Sequence, residues 1–243
     1  MSVENRRRSP EELREMLKDL QFLPSRRDIL RAFGEDTDAW NRFCVNRDKN
    51  GQRLFFELLN TEFIDGLSGY LQTIGERFGV TDRPLTVLEV GAGNGRLAHF
   101  LKERLDKNKV SYIATDPGFW GYDNIFPSDS VEKLDYEHAL KAYKPDVVIA
   151  SWMVYRADWT QDFRDTDSVQ EYLLIGEPRV TGDDWLTWGG VYFGEEGKKP
   201  QYESDGFEKV LLKELSKSQI CANDSLPRLN IHSSTYSFRR TEA

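Results

Sequence analysis

The sequence predicts an α/β protein, with a mostly parallel sheet of seven strands flanked by helices and an all-helical N-terminal part. Three observations carry that prediction. First, the stretch Val87 to Leu105 runs from apolar residues through three alternate glycines into an apolar series at helical spacing, a strand–turn–helix. Second, short apolar runs alternate with helical patterns from Val110 to Ile175, which argues for a parallel-type sheet. Third, roughly the first 80 residues show only the helical period. The chain therefore divides into a helical extension, residues 1–83, and a sheet domain, residues 84–243.

In the extension, Ser9-Pro10-Glu11-Glu12 combines an N-cap serine, a proline at the first helical position and a capping-box glutamate, with Leu13, Met16, Leu17 and Leu20 as the apolar face. Ser25 with Asp28 opens a second short helix that closes at Gly34, and a third begins at Asp36 or Thr37 and turns Trp40, Phe43 and Cys44 inward. From Gln52, the series Leu54, Phe55, Leu58, Leu59, Phe63, Leu67, Leu71, Ile74, Phe78 predicts a long helix, bent or broken near Gly66 or Gly69 and ended by Gly79.

In the sheet domain, strands are predicted at Val87–Val90, Val110–Thr115, Val131–Leu134, Asp146–Ala150, Tyr172–Ile175, Gln219–Ala222 and Ser234–Phe238. Helices are predicted after the glycine turn, over Ala139–Lys144 and over Phe207–Leu215. Residues 117–130 read as an aromatic, glycine-containing loop in place of a helix, and a polar and aromatic loop with Asp183, Asp184, Trp185, Trp188 and Tyr192 follows the Tyr172 strand.

Glycines at Gly91, Gly93 and Gly95 permit positive φ and close approach of a ligand to the backbone, and the free N–H groups of the following helix face that ligand. A dinucleotide fingerprint would place its third glycine one position later, which disfavours a nicotinamide-dependent oxidoreductase. The pattern E-x-G-x-G-x-G beginning at Glu89 is similar to motif I of the class I S-adenosylmethionine-dependent methyltransferases, whose fold is a Rossmann-like seven-stranded sheet. The resemblance covers residues 84–240 and implies S-adenosyl-L-methionine as cofactor, with Glu89, Gly91, Gly93 and Gly95 along its methionine and ribose side. Asp116, at the end of the second strand, matches the acid that reaches ribose hydroxyls in such sheets. The resemblance further implies an adenine contact at Asp135 with Tyr136 beside it, and a cofactor contact at Ser151, where the family's motif IV lies. In this family, N-terminal helices commonly pack over the cofactor and wall the substrate pocket; a helical extension used for stability or dimerisation is the other reading.

The segment Ser151-Trp152-Met153-Val154-Tyr155 departs from known acceptor motifs. It has neither the D/N-P-P-Y/F of amino-methylating nucleic-acid enzymes nor a cysteine for attack on a pyrimidine. Its likeness to the S-E-W-M of protein arginine methyltransferases fails on both substrate-loop glutamates. Trp152, Tyr155, Trp159, Trp185 and Trp188 lie after the fourth and fifth strands as pocket aromatics; of these Trp152, Tyr155, Trp185 and Trp188 are the candidate substrate-binding residues, and Trp152 and Glu177 are the candidate catalytic pair. Aromatic faces among carboxylates suit a cationic or amine group. The competing reading makes the tryptophans core and the acids a solvated surface. The expected enzyme is a methyltransferase acting on a small molecule or peptide, with an amine acceptor preferred. The alternative is a binding or partner-activating protein that keeps the fold without turnover.

Composition narrows the partners. Of 41 acidic residues thirteen lie in residues 156–208, against five of the 33 basic ones, so the whole net charge of −8 sits in that segment. A general nucleic-acid binder would be expected to carry a basic stripe instead. No apolar run approaches the ~20 residues of a membrane span, and the charged N-terminus lacks a signal-peptide core, which predicts a soluble cytoplasmic protein. Cys44 and Cys221 read as buried reduced thiols, and with His99, His138 and His232 scattered no metal is expected.

Overall fold

The computed structural model describes residues 8–19, 21–34, 36–45, 55–119, 130–190, 197–224 and 233–241. Leu20, Leu54, Tyr192, His232 and most of the 117–130 loop lie outside the described residues.

Three short helices come first, α1 (Pro10–Met16), α2 (Arg26–Phe33) and α3 (Thr37–Val45). Their ends follow the capping chemistry read from the sequence. Ser9 Oγ accepts the Glu12 N–H at 3.1 Å while the Glu12 carboxylate accepts the Ser9 N–H at 2.9 Å, and Ser25 Oγ accepts the Asp28 N–H at 3.0 Å. Leu13, Ile29, Phe33, Trp40 and Phe43 pack into a core of their own that also takes in Leu58 and Ile220. Burial of side chains this large contributes about 1.5–3 kcal/mol each.

The predicted long helix is shorter and straighter than its periodicity suggested. Helix α4 (Thr61–Arg77) starts where Asn60 Oδ1 accepts the Phe63 N–H at 3.0 Å. It runs unbroken past both glycines. A Cβ on Gly66 would lie 2.8 Å from Leu215 Cδ2, so that glycine serves close packing and not a bend. Residues 55–60 lie outside the helix and pair with residues 220–222 through an antiparallel bridge between Glu57 and Cys221.

The sheet contains β1 (Leu85–Val90), β2 (Val110–Thr115), β3 (Val147–Ser151), β4 (Glu171–Gly176), β5 (Phe207–Leu211) and β6 (Ser234–Arg240), in the order β2-β1-β3-β4-β6-β5. The first four strands are parallel; β6 runs antiparallel to β4, and β5 antiparallel to β6. Helix α5 (Arg96–Arg104) follows β1, α6 (Tyr136–Tyr143) precedes β3, α7 (Thr160–Asp165) precedes β4, and single turns α8 (Gln201–Ser204) and α9 (Lys213–Ser216) flank β5. Alternate strand residues feed two cores. Leu85, Val87, Val147, Ile149, Leu173 and Ile175 meet α4 and α5, while Leu88, Val90, Val148, Ala150, Tyr172 and Leu174 meet the side chains of α6 and α7. Strands covered on both faces read as continuous apolar runs, which is why they were visible in the sequence.

Three expectations are corrected. Among the described residues the sheet has six strands, not seven. Val131–Leu134 contributes one parallel bridge, Thr115 to Glu132, because its Val-Glu-Lys-Leu sequence has too little apolar surface to extend the ladder. Gln219–Ala222 is not a sheet strand either; it pairs outside the sheet, through an antiparallel bridge between Glu57 and Cys221. Phe207–Leu215, predicted as a helix, is β5 followed by α9. Its alternation was hidden because a lysine takes an inward position. Lys209 Nζ lies 4.6 Å from the Tyr236 ring centroid and donates to the Trp188 carbonyl at 2.6 Å. Cys44 and Cys221 are buried free thiols. Among the described residues no helix is long and apolar enough to cross a membrane.

Candidate functional site

Parallel pairing brings the carboxyl ends of the first four strands to one edge. Val90 is in register with Thr115 on one side and Ala150 on the other, and Ser151 with Ile175. Gly91, Asp116, Trp152 and Glu177 follow directly, so residues far apart in sequence come to one edge of the sheet, the edge at which open α/β sheets bind ligands.

The turn after β1 is built by its glycines. Gly91, Gly93 and Gly95 all adopt left-handed φ, at 66°, 57° and 72°. Gly95 caps α5 without a side-chain bond. A Cβ on Gly91 would lie 3.0 Å from the Trp159 ring, and one on Gly95 would run into Val131. Trp159 at Gly91, and Val131 with Ser130 at Gly95, thus leave no space for a side chain at either position. Asp116 closes the turn from the neighbouring strand, with Oδ2 accepting the Gly93 N–H at 2.9 Å and Oδ1 accepting the Gly118 N–H at 2.7 Å.

Glu89 lies one layer below, on the face covered by α4 and α5, and is 1% exposed. Its Oε2 accepts the Tyr112 hydroxyl at 2.9 Å. Burial pushes its pKa up to about 7, opposed by the Tyr112 hydrogen bond and by Lys102. Arg96, the first residue of α5, donates to the carbonyls of Leu17 at 2.8 Å and Phe22 at 2.6 Å, tying the segment between α1 and α2 to the glycine turn. Burial lowers its pKa to about 10.

The remaining predicted residues divide. Asp135 is the N-cap of α6, accepting the His138 N–H at 3.0 Å and meeting the His138 ring at 2.8 Å. These bonds hold its pKa below the usual carboxylate range. Tyr136 stacks on Trp159 with centroids 5.3 Å apart, and through that ring reaches Gly91. Ser151 ends β3. Trp152 has a left-handed backbone with φ 55°, a conformation that costs a bulky residue about 1–3 kcal/mol and persists only where its surroundings enforce it. Glu177 Oε2 accepts the Asn223 side-chain N–H at 2.7 Å.

The four aromatic residues do not form one box. Trp188 is 3% exposed and belongs to the core beside β4 and β6. Trp185 is half-buried in the turn beyond Asp183. Tyr155 is 57% exposed, and its ring carries the guanidinium of Arg156 at 5.2 Å. The loops after β3 and β4 are joined by the Arg156 N–H to the Gly182 carbonyl at 2.9 Å and the Gly182 N–H to the Met153 carbonyl at 3.2 Å. Val154, Tyr155, Val180 and Leu186 stand exposed on them.

Sequence reasoning missed Glu57. This residue precedes α4, is 8% exposed, and accepts the Trp152 Nε1–H at 3.1 Å. The signal was a lone charge in the run Leu-Phe-Phe-Glu-Leu-Leu, just before the cap Asn60-Thr61-Glu62. Elsewhere, a shallow groove of about 790 Å³ is lined by Arg26, Arg27, Leu30, Arg31, Glu62 and Lys217. It includes none of the strand-end residues Gly91, Asp116, Trp152 and Glu177. Among the described residues no cluster of His, Cys, Asp and Glu is arranged to hold a metal ion.

No protein-family model and no curated protein sequence matches this chain. Solved structures similar to it include the carbon methyltransferase CurJ, at 14% identity and TM-score 0.46 over 88% of this chain and 61% of that one. Others are the precorrin-6y C5,15-methyltransferase of Geobacter metallireducens GS-15, at 12% identity and TM-score 0.40 over 73% of this chain and 87% of that one, and the magnesium protoporphyrin IX methyltransferase of Synechocystis PCC 6803 with bound SAH, at 11% identity and TM-score 0.39 over 88% of this chain and 100% of that one. This chain spans 61% of the length of the first of these.

Proposed function

We propose that this chain is an S-adenosylmethionine-dependent methyltransferase, with the cofactor held on the turn Gly91–Gly95 and its ribose at Asp116. The observation that carries the reading is the Asp116–Gly93 contact at 2.9 Å. The acid at the second strand end is already aimed across the glycine turn, and its carboxylate has acceptor capacity left for hydroxyl donors. The left-handed φ of the three glycines supports a tight turn of the kind that can present its N–H groups to a ligand. Residues 84–243 form the cofactor-binding domain in this reading, and residues 1–83 form the wall tied to it by Arg96.

The cofactor, when bound, supplies a sulfonium methyl as the electrophile. The protein's work is then to align the acceptor and exclude water. Trp152 offers an aromatic face and Glu177 a carboxylate on the edge where β3 and β4 end, and the acidic excess of residues 156–208 favours a cationic partner there. We therefore assign an amine of a small molecule or peptide as acceptor, with Glu177 orienting it or taking its proton. Tyr155 and Trp188 contribute less, since their rings already carry Arg156 and Lys209.

A ligand that binds only the folded chain stabilises it by roughly 2.7 kcal/mol at a hundredfold excess over its dissociation constant. S-adenosylhomocysteine is expected to raise the melting temperature while NAD leaves it unchanged. A rise with NAD alone would return the chain to the nicotinamide enzymes, and no rise with either would remove the reading.

A further inference from the structure

Glu57 and the turn Gln219–Asp224 meet behind the acceptor edge. Phe56 stacks on Trp152 with centroids 5.5 Å apart. Glu57 Oε2 accepts the Trp152 Nε1–H at 3.1 Å, and Oε1 accepts the Ile220 N–H at 3.1 Å and the Ser233 hydroxyl at 3.2 Å. The backbones are paired as well: the Leu58 N–H donates to the Ile220 carbonyl at 2.7 Å and the Ala222 N–H to the Phe56 carbonyl at 2.9 Å. From the same turn Asn223 donates to Glu177. One loop therefore holds both acceptor-side candidates, Trp152 through Glu57 and Glu177 through Asn223.

We propose that Glu57 is the positioning residue of the acceptor site, fixing the Trp152 indole on its left-handed backbone at the crevice edge; this deepens the methyltransferase reading and rests on it. The chemistry explains why a carboxyl stands here. Three donors converge on it, and an apolar replacement would leave a half-buried indole N–H, a buried peptide N–H and a buried hydroxyl without this acceptor. A glutamine supplies one acceptor oxygen at every pH, whereas the carboxyl supplies two once it is ionised.

The titratable groups around Glu57 are Asp224, which accepts the Cys221 N–H at 2.8 Å and its Sγ–H at 3.2 Å, Cys221 itself, and Glu177 at the far side of the turn. Burial raises the Glu57 pKa to about 8, with Asp224 adding to the rise and Trp152, Ser233 and Gln219 opposing it. An ionised acceptor makes the stronger hydrogen bond. The hold on Trp152 tightens as pH rises through that value.

The test is a titration of the full chain labelled with ¹⁵N in tryptophan, followed by the indole N–H signals, with Trp152 assigned by its loss in Trp152→Phe. The expected Trp152 signal moves with a midpoint near 8. It stops titrating in Glu57→Gln, and it shifts on addition of S-adenosylhomocysteine. In Glu57→Gln the affinity for S-adenosylhomocysteine is expected to change less than about twofold, since the cofactor cradle is untouched. If Glu57→Gln does not fold, ¹³C-carboxyl labelling of glutamate in the unmodified chain gives the same answer: one carboxyl must share the Trp152 midpoint. A Trp152 signal that is invariant with pH, titrates equally in Glu57→Gln, or ignores bound S-adenosylhomocysteine overturns the proposal. Failure of S-adenosylhomocysteine to bind the unmodified chain instead removes the methyltransferase reading, while the pH titration still reports on the Glu57–Trp152 pair.

Discussion

Asp116 Oδ2 accepts the Gly93 N–H at 2.9 Å, so the end of β2 and the turn after β1 are joined by the carboxylate assigned to the ribose. Removing it takes charge-assisted acceptors from the ligand and one prop from the turn. Asp116→Ala is expected to weaken S-adenosylhomocysteine binding by about 1.5–3 kcal/mol in a folded protein. Equilibrium binding checks this, and an unchanged affinity would place the ribose elsewhere.

The glycine turn makes a prediction about stability that needs no ligand. Gly95 and Gly79 share left-handed φ, 72° and 67°, but a Cβ on Gly95 meets Val131 and lies 2.9 Å from Ser130 Oγ, whereas one on Gly79 meets nothing within 4 Å. Gly79→Ala should cost roughly 1–2 kcal/mol for backbone strain alone. Gly95→Ala should cost that and about 1–3 kcal/mol more for overpacking. Equal losses in urea denaturation would mean that the wall at Val131 yields freely.

How legible this was depended on the kind of signal. Gly91, Gly93, Gly95 and Asp116 were readable because fixed local chemistry, a bare turn and an acid at a strand end, leaves a spacing in the sequence. Glu57 was not, since its meaning comes from Trp152, Ile220 and Ser233, all far away along the chain. The strand β5 was misread for a similar reason. Lys209 occupies an inward position only because Trp188, Tyr236 and Phe238 offer ring faces to its ammonium, and no window of local sequence contains that information. Asp135 matches a family position, and its side chain also caps α6 by accepting the N–H of His138, three residues on.

The aromatic residues separate by burial. Trp188→Ala removes a core ring and should cost about 3–5 kcal/mol. Tyr155→Ala, at an exposed position, should stay within about 0.5 kcal/mol. A large loss at Tyr155 in thermal or urea unfolding would show that its loop is packed more tightly than its exposure indicates.

Two raised carboxyls set a pH dependence with a definite sign. An unfolded glutamate ionises near about 4.3, whereas burial holds Glu89 protonated up to about 7 and Glu57 up to about 8. Between those limits the native chain binds protons that the unfolded chain has released, so these groups lower stability as pH rises, by up to roughly 1.4 kcal/mol per pH unit each. Their contribution is complete below the unfolded value and lost above the folded one. Urea unfolding at several pH values should show Glu57→Gln and Glu89→Gln gaining on the unmodified chain up to about pH 7 to 8, with no further gain beyond. Parallel curves would mean that neither carboxyl is protonated in the native state.

In the proposed function the turn Gly91–Gly95, closed by Asp116, holds S-adenosylmethionine. Calorimetric titration of S-adenosylhomocysteine into the full chain tests it most directly. A saturable one-to-one binding isotherm is the predicted result. Absence of binding heat at several temperatures with millimolar ligand, in protein shown to be folded, would contradict it.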